Sequence, residues 1–489
     1  MSNQQQLTIV SAPGKALIIG GYLVLDRSFN AVVISTDSRF YCVIKDGQRP
    51  NKVIVKSPQF EDAVWEYDVE NLESFNQRNQ GKGSAFIRFA IKYTLGIISQ
   101  RIESSAFTEI IGRGLEIMVL GSNDFYSLRE QLAKSHLPLT AASTRLIDPL
   151  SSFHVPISKV HKTGLGSSAA LTTSIVAALY VHFGVVHQNE DGKDYDKRLV
   201  NNTAQMCHGL AQGKVGSGFD ISAAVWGSQV YKRFSASVIE EAFAANNEDR
   251  SELKGIVDFE RLSLIVEPDF NEWDSVVRPT RLPPHFILML ADVDAGSHTP
   301  SMVGKVLAWR KANPEKANRL WNELGACNQK IEDDLRYLVD MSEVERDLYE
   351  EGIRRCSELP GEKWSELSHG SPHNSVIKFM DHVYQTFQQI RNLLRQMSTE
   401  SEVPIEPPEQ TELLDACMKV AGVIMAGVPG AGGYDAIFCV CISEDAVAEV
   451  EKVCESWRAM DVLPLLSREL ATGYLIEKLE DVRGIDKYI

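Results

Sequence analysis

Residues 163–189 contain no aspartate, glutamate, lysine or arginine, and the run opens on Gly164-Leu165-Gly166-Ser167-Ser168. A stretch of that length without charge has two outlets, a bilayer span or a helix buried in a protein core. Thr172, Thr173 and Ser174 break its apolar character, so the segment predicts a core helix over 167–183 with a functional N-terminus. Its two glycines let backbone N–H groups approach an anion, and the positive end of the helix dipole points at the same place. Ser167 and Ser168 add hydroxyls that reach phosphate oxygens or a bound Mg²⁺, and Lys162 adds a cation at the edge. The segment reads as a phosphate cradle, although no GxxxxGK[ST] sequence occurs in the chain. A serine-capped turn before a core helix is the plainer reading of the same residues.

Two further loops stand out. Ser11-Ala12-Pro13-Gly14-Lys15 lies between two strand-like runs, where a Pro-Gly turn projects Lys15 toward a carboxylate or a phosphate in a cleft. Gly427-Val428-Pro429-Gly430-Ala431-Gly432-Gly433-Tyr434-Asp435 leads into an apolar run, and its glycines indicate unusual dihedrals or close approach to a ligand. Taken singly, a solvated lysine and a strand-entry loop account for each.

The 489 residues exceed one ordinary hydrophobic core and suffice for two domains. With 50 Lys+Arg against 66 Asp+Glu the formal net charge is −16, which disfavours nucleic acid and anionic membrane surfaces as partners. The opening MSNQQQ lacks the basic and apolar regions of a secretory signal, and DKYI matches no prenylation or retrieval signal. The eight cysteines form no CxxC pair and read as reduced, buried thiols. A cytoplasmic protein without membrane insertion is the expectation.

Short β-branched or aromatic runs predict strands over 7–12, 16–19, 31–35, 40–44, 52–56, 115–120 and 228–234, with helices over 85–98 and 197–212. Composition shifts to Glu, Ala, Asn and Asp over 235–255, near the expected domain boundary. Beyond it, 262–266 and 286–291 read as buried strands, 302–394 as a helical block and 398–410, with Pro404, Pro407 and Pro408, as a loop. A helix over 413–420, a strand over 436–442 and a helix over 444–460 complete an α+β chain of two domains, 1–260 and 261–489.

The three loops, in this order and spanning residues 11–435, resemble the three motifs of the GHMP kinases. Gly20-Gly21-Tyr22-Leu23-Val24-Leu25-Asp26, Lys162-Thr163, the run from Ala211 to Asp220 and the Pro429–Ala436 loop are similar to the phosphomevalonate kinase branch of eukaryotic, particularly fungal, type. The Gly-Glu-His of mevalonate kinases and the Arg-x-Asn pattern of galactokinases are missing. The resemblance implies an N-terminal domain like the second domain of ribosomal protein S5 and a ferredoxin-like C-terminal domain. It also implies transfer of the γ-phosphoryl group of ATP to 5-phosphomevalonate. Mevalonate kinase activity and a non-catalytic sensor are the alternatives, and monomer and homodimer both stay open.

Carried over residue by residue, the resemblance makes Lys15, Asp220 and Lys162 the catalytic candidates. Gly164, Leu165, Gly166, Ser167, Ser168 and Ala169 would hold ATP, with Ser168 reaching Mg²⁺. The acceptor would meet Lys15, Ser217, Gly218, Ser297, Thr299, Gly430, Ala431 and Gly432. A helix N-cap is the plainer role for Asp220. Where mevalonate kinases place a metal-binding glutamate, this chain has His208, a poor Mg²⁺ ligand. Lys82, Arg145, Lys159, Lys214 and Arg278 are candidate cations for the acceptor's carboxylate and phosphate.

Overall fold

Two sheets organise the residues that the computed structural model describes, 7–70, 72, 75, 84–187, 193–245, 257–269, 273–293, 299–367 and 374–489. The first half runs β1 (Leu7–Ile19), β2 (Ala31–Asp46), β3 (Lys52–Lys56), β4 (Val64–Asp68), α1 (Ala85–Ser99), α2 (Ser104–Arg113), β5 (Leu115–Gly121), α3 (Arg129–Lys134), α4 (Ala141–Thr144), α5 (Ser167–His182), α6 (Lys193–Gln212), α7 (Phe219–Trp226), β6 (Gln229–Lys232), α8 (Ser237–Ala245), α9 (Phe259–Ile265) and β7 (Val276–Pro279). Then come β8 (Ile287–Val293), α10 (Thr299–Ala312), α11 (Pro314–Val344), α12 (Arg346–Ser357), α13 (Trp364–Leu367), α14 (Asn374–Ser401), α15 (Pro408–Met418), β9 (Val423–Gly427), β10 (Ala436–Cys441), α16 (Glu444–Ser456), β11 (Val462–Pro464) and β12 (Leu475–Ile476).

The first sheet has the order β12-β1-β2-β5-β3-β4, and β6 joins β2 to β7. Its pairs are antiparallel except β3 with β5. The second sheet, β11-β8-β10-β9, is antiparallel throughout. The α+β expectation is met, and the second sheet with α14, α15 and α16 packed on it has the ferredoxin-like character implied by the resemblance. β7 and β12 bring residues from beyond the expected 260/261 division into the first sheet.

Charge-free α5 is the axle of the first unit. It packs on β1, β2, α1 and α6, and nearly all of its residues are buried. Its small residues, Ala169, Ala170, Ala177 and Ala178, let the helix lie close to the sheet. Among the described residues no helix is long and apolar enough to cross a membrane. All eight cysteines are buried free thiols.

Three local expectations change. Residues 262–265 belong to helix α9 and Val266 is its C-cap, because the Asp258 carboxylate caps the backbone N–H of Arg261 at 2.8 Å. The i, i+3 pair Leu262 and Ile265 is buried while Leu264 stays exposed, as on one helix face. The loop expected over 398–410 is shorter, since α14 continues to Ser401 and α15 begins with Pro408 at its first turn, where proline fits. The runs 7–12 and 16–19 form a single strand, its register shifting between Pro13 and Lys15.

Candidate functional site

That register shift places Lys15. A β-bulge re-aims a side chain without ending the strand, and here the backbone N–H of Lys15 leaves the ladder to donate to the Leu165 carbonyl at 2.9 Å. The Lys15 ammonium (Nζ) donates to the Gly164 carbonyl at 2.7 Å. First loop and cradle are thus joined through both the backbone and the side chain of one residue. Gly166, at φ +78°, is the left-handed N-cap of α5, and a Cβ there would stand 3.0 Å from Lys15 Cε. Only glycine gives both the dihedral and the room.

Around the Lys15 ammonium lie the Phe219 ring, 5.5 Å to its centroid, and the carboxylate of Asp220. Burial lowers the lysine pKa, and the aspartate partly restores it. Asp220 does not cap α7. Gly218 holds that position at φ +78°, and Asp220 sits in the first turn, its Oδ1 accepting from the Ile221 N–H at 3.0 Å. The loop ahead of it is pinned by Arg233, which donates to the Gly216 carbonyl at 2.7 Å, and by the Tyr231 hydroxyl, which donates to the Ser217 carbonyl at 2.9 Å.

At the other end of the cradle the buried Thr163 hydroxyl donates to the Asp124 carbonyl, fixing the approach to Gly164. Lys162 pairs with Tyr126 in an isolated bridge, and crowding of its ammonium by protein atoms lowers its pKa. Just before it, Ser127, Phe153, Val155, Lys159 and His161 line a cavity of about 160 Å³. Ser167 and Ala169 are buried in the first turn of α5, while Ser168 is half-buried. The Ser168 hydroxyl lies 3.1 Å from His208 Nε2 on α6, whose ring packs on Phe86. Burial lowers the His208 pKa, against a smaller opposing pull from Asp220.

The glycine-rich loop completes the convergence. The Gly430 N–H donates to the Leu17 carbonyl at 3.3 Å, and the Tyr22 hydroxyl donates to the Ala431 carbonyl at 2.8 Å. Gly432, at φ +73°, touches the residue 405 backbone. Lys15, Lys162, the 164–169 cradle, Ser217, Gly218, Asp220 and Gly430–Gly432 are therefore linked through the Lys15 strand and its neighbours. Thr299 begins α10, and Ser297 and Lys82 lie outside the described residues.

The remaining cations divide. Arg278 is committed to the buried carboxylate of Glu332 at 2.6 Å, and Arg145 faces Glu451 at 3.9 Å. Lys159 lines the cavity and Lys214 is exposed. The sequence reading missed Tyr22, Phe219 and Arg233. Phe219 had a signal, its place inside the quoted run before Asp220, but the other two act through backbone carbonyls that no motif records.

Family models match at 140–228, the GHMP kinases N-terminal domain, and at 379–459, the GHMP kinases C-terminal region. The chain is 36% identical to the peroxisomal phosphomevalonate kinase of Arabidopsis thaliana, over 96% of each chain. It is 35% identical to phosphomevalonate kinase erg8 of Aspergillus fumigatus, over 93% of this chain and 91% of that one. Its fold is similar to that of Streptococcus pneumoniae phosphomevalonate kinase, solved in complex with phosphomevalonate and AMPPNP. That likeness has a TM-score of 0.58 at 13% identity and covers 94% of this chain and 99% of the other.

Proposed function

Because the chain belongs to the phosphomevalonate kinases of the GHMP superfamily, we propose that it transfers the γ-phosphoryl group of ATP to the phosphate of 5-phosphomevalonate. The observation that carries this reading is the position of Lys15 where the cradle, the Asp220 turn and the glycine-rich loop converge. A phosphate oxygen of the acceptor attacks the γ-phosphorus. A new P–O bond forms, the bond to the bridging β,γ-oxygen breaks, and ADP leaves with that electron pair. The attacking oxygen is already anionic near neutral pH, so no strong base is needed. What the site supplies is positioning and neutralisation of converging negative charge.

Each residue then has a task. The N-terminal N–H groups of α5 and the 164–169 backbone receive the ATP phosphates, and Lys162 faces them from the rim. Lys15 bridges the acceptor and transferred phosphates, exchanging its carbonyl partner for phosphate oxygens. Asp220 keeps Lys15 charged and oriented. Gly430–Gly432, with Ser217 and Gly218, border the acceptor, and Ser297 and Thr299 are proposed beside it. The cavity ahead of Lys162 is the proposed place of the nucleoside, so 1–260 carries the ATP cradle and 261–489 brings the Gly430–Gly432 loop to the acceptor.

Mg²⁺ normally keeps several waters and bridges phosphates. That fits a site where, among the described residues, no three His, Cys, Asp or Glu side chains gather to hold a metal. The Ser168 hydroxyl is the proposed protein ligand, and its contact with His208 fixes the direction of its oxygen. Bound there, the ion supplies neutralisation of the β- and γ-phosphate charge. We place the protein in the cytoplasm, although one relative is peroxisomal; fractionation tests this.

The test of the activity is Mg²⁺-dependent ADP release from ATP with 5-phosphomevalonate and mevalonate in parallel. Selective turnover of 5-phosphomevalonate is expected. Turnover of mevalonate alone refutes the substrate, and ATP binding without turnover of either refutes the enzyme in favour of a sensor.

A further inference from the structure

The glycine-rich loop is gripped from two sides by residues that belong to none of the three loops. On the first side is Tyr22, a non-glycine residue at φ +61° that is 3% exposed. Left-handed backbone at an aromatic residue is strained and persists where surrounding contacts over-determine it. Here the hydroxyl of that tyrosine donates to the Ala431 carbonyl at 2.8 Å. Gly21 beside it leaves space for the Gly430 carbonyl, which would lie 2.6 Å from a Cβ.

On the second side is the strap between α14 and α15. The Gly433 N–H donates to the Ile405 carbonyl at 2.8 Å, and a Cβ on Gly432 would stand 2.2 Å from that oxygen. The next residue, Glu406, anchors the strap in the core. Its side chain has no exposure, and it accepts from Arg391 at 2.7 and 3.2 Å, from Arg395 at 2.6 Å and from Thr411 at 3.1 Å. Ile405 itself is tied to Ser398 Oγ at 3.2 Å.

We propose that Tyr22 and Glu406 are positioning residues that clamp Gly430–Gly433 against the strand that carries Lys15, presetting the shape of the loop that borders the anionic acceptor. The proposal rests on the kinase reading above. A loop with so many glycines is intrinsically free, and holding it in advance removes an ordering cost from substrate binding. Tyr22 also lies on the chain segment that follows Lys15, so the clamp fixes the loop relative to that lysine and not merely within its own sheet.

The test uses Tyr22→Phe, which deletes one hydroxyl, and Glu406→Gln, with Glu406→Asp as the charge-retaining variant. One readout needs no activity: amide hydrogen exchange over residues 428–434. Tyr22→Phe is expected to speed that exchange about fivefold, the worth of one neutral hydrogen bond, while β2 exchange stays unchanged. In turnover, the KM for 5-phosphomevalonate rises several-fold with the KM for ATP unchanged. Glu406→Gln gives larger effects in the same direction, and Glu406→Asp restores part of them. Unchanged loop exchange in folded Tyr22→Phe overturns the clamp, as does an equal rise in both KM values. Wild-type protein that fails to use 5-phosphomevalonate overturns the kinase reading instead, while the exchange result still decides the clamp.

Discussion

Alanine at Gly166 separates backbone strain from site geometry, because two other glycines of this helix region serve as references. Gly164, Gly166 and Gly184 have φ of +80°, +78° and +68°, so alanine at each meets a left-handed backbone. The penalty is about 1–2 kcal/mol, and melting falls by about 2–4 °C per kcal/mol in units of this size. The surroundings differ. Gly184, at the far end of α5, has only a His187 ring carbon at 4.0 Å, and Gly164 has nothing within 4 Å. At Gly166 the new methyl meets Lys15 Cε at 3.0 Å and Cγ at 3.3 Å, so the lysine must give by a few tenths of an ångström. A misplacement approaching 1 Å costs up to about 100-fold in rate. Coupled ADP-release kinetics and calorimetry on the three variants are the assay. All three lose similar stability. Gly184→Ala keeps wild-type kinetics, Gly164→Ala raises the KM for ATP by about tenfold or more, and Gly166→Ala lowers kcat by about 10–100-fold. A kcat for Gly166→Ala within twofold of that for Gly184→Ala refutes the claim that this turn sets the position of Lys15.

Other outcomes follow from the same contacts. Lys15→Met lowers kcat by about 100-fold or more while the protein stays folded, because a positioned cation is lost; near-native turnover refutes its role. Burial lowers the Lys15 pKa from 10.5, and the protonated form is the active one, so kcat/KM falls as pH rises through that lowered value. Asp220→Asn, which removes the opposing pull, moves this alkaline limb to lower pH, and an unmoved limb assigns it to another group. Thr163→Val leaves the Asp124 carbonyl without its donor and costs about 1–3 kcal/mol; an unchanged urea midpoint refutes that. A thiol reagent is expected to titrate none of the eight cysteines in the native protein and all of them in guanidinium; rapid native labelling contradicts their burial.

The cradle was legible because its requirements are local. Glycine dihedrals and helix-capping geometry are written within a few residues of Gly164, and the absence of charge runs unbroken from 163 to 189. The same holds for the strand runs, whose alternation is a property of neighbours. Residues 262–266 misled because Leu, Ile and Val in a short run suit a strand and a buried helix equally, and only the Asp258 cap and the exposed Leu264 distinguish them. Arg278 was one of several candidate cations for the acceptor, and its pairing with Glu332 could not be read from its neighbourhood because that partner is 54 residues away. Tyr22 lay inside a quoted motif, yet its contact with Ala431 spans 409 residues of sequence. Nothing within its own neighbourhood announces where its hydroxyl ends.

β12 has a bearing on how the molecule is made. Val10 and Ser11 of β1 pair with Ile476 and Leu475, and the entire second sheet is encoded between β7 and that partner strand. At about 5–20 residues per second on the ribosome, the edge of β1 waits on the order of 10–40 s after β7 emerges before its neighbour exists. During that interval an apolar strand stands open to pairing with another nascent chain. Occupation of this edge by a general chaperone, or slow translation that prolongs its exposure, is therefore expected to govern the yield of native protein more than the stability of the finished fold does.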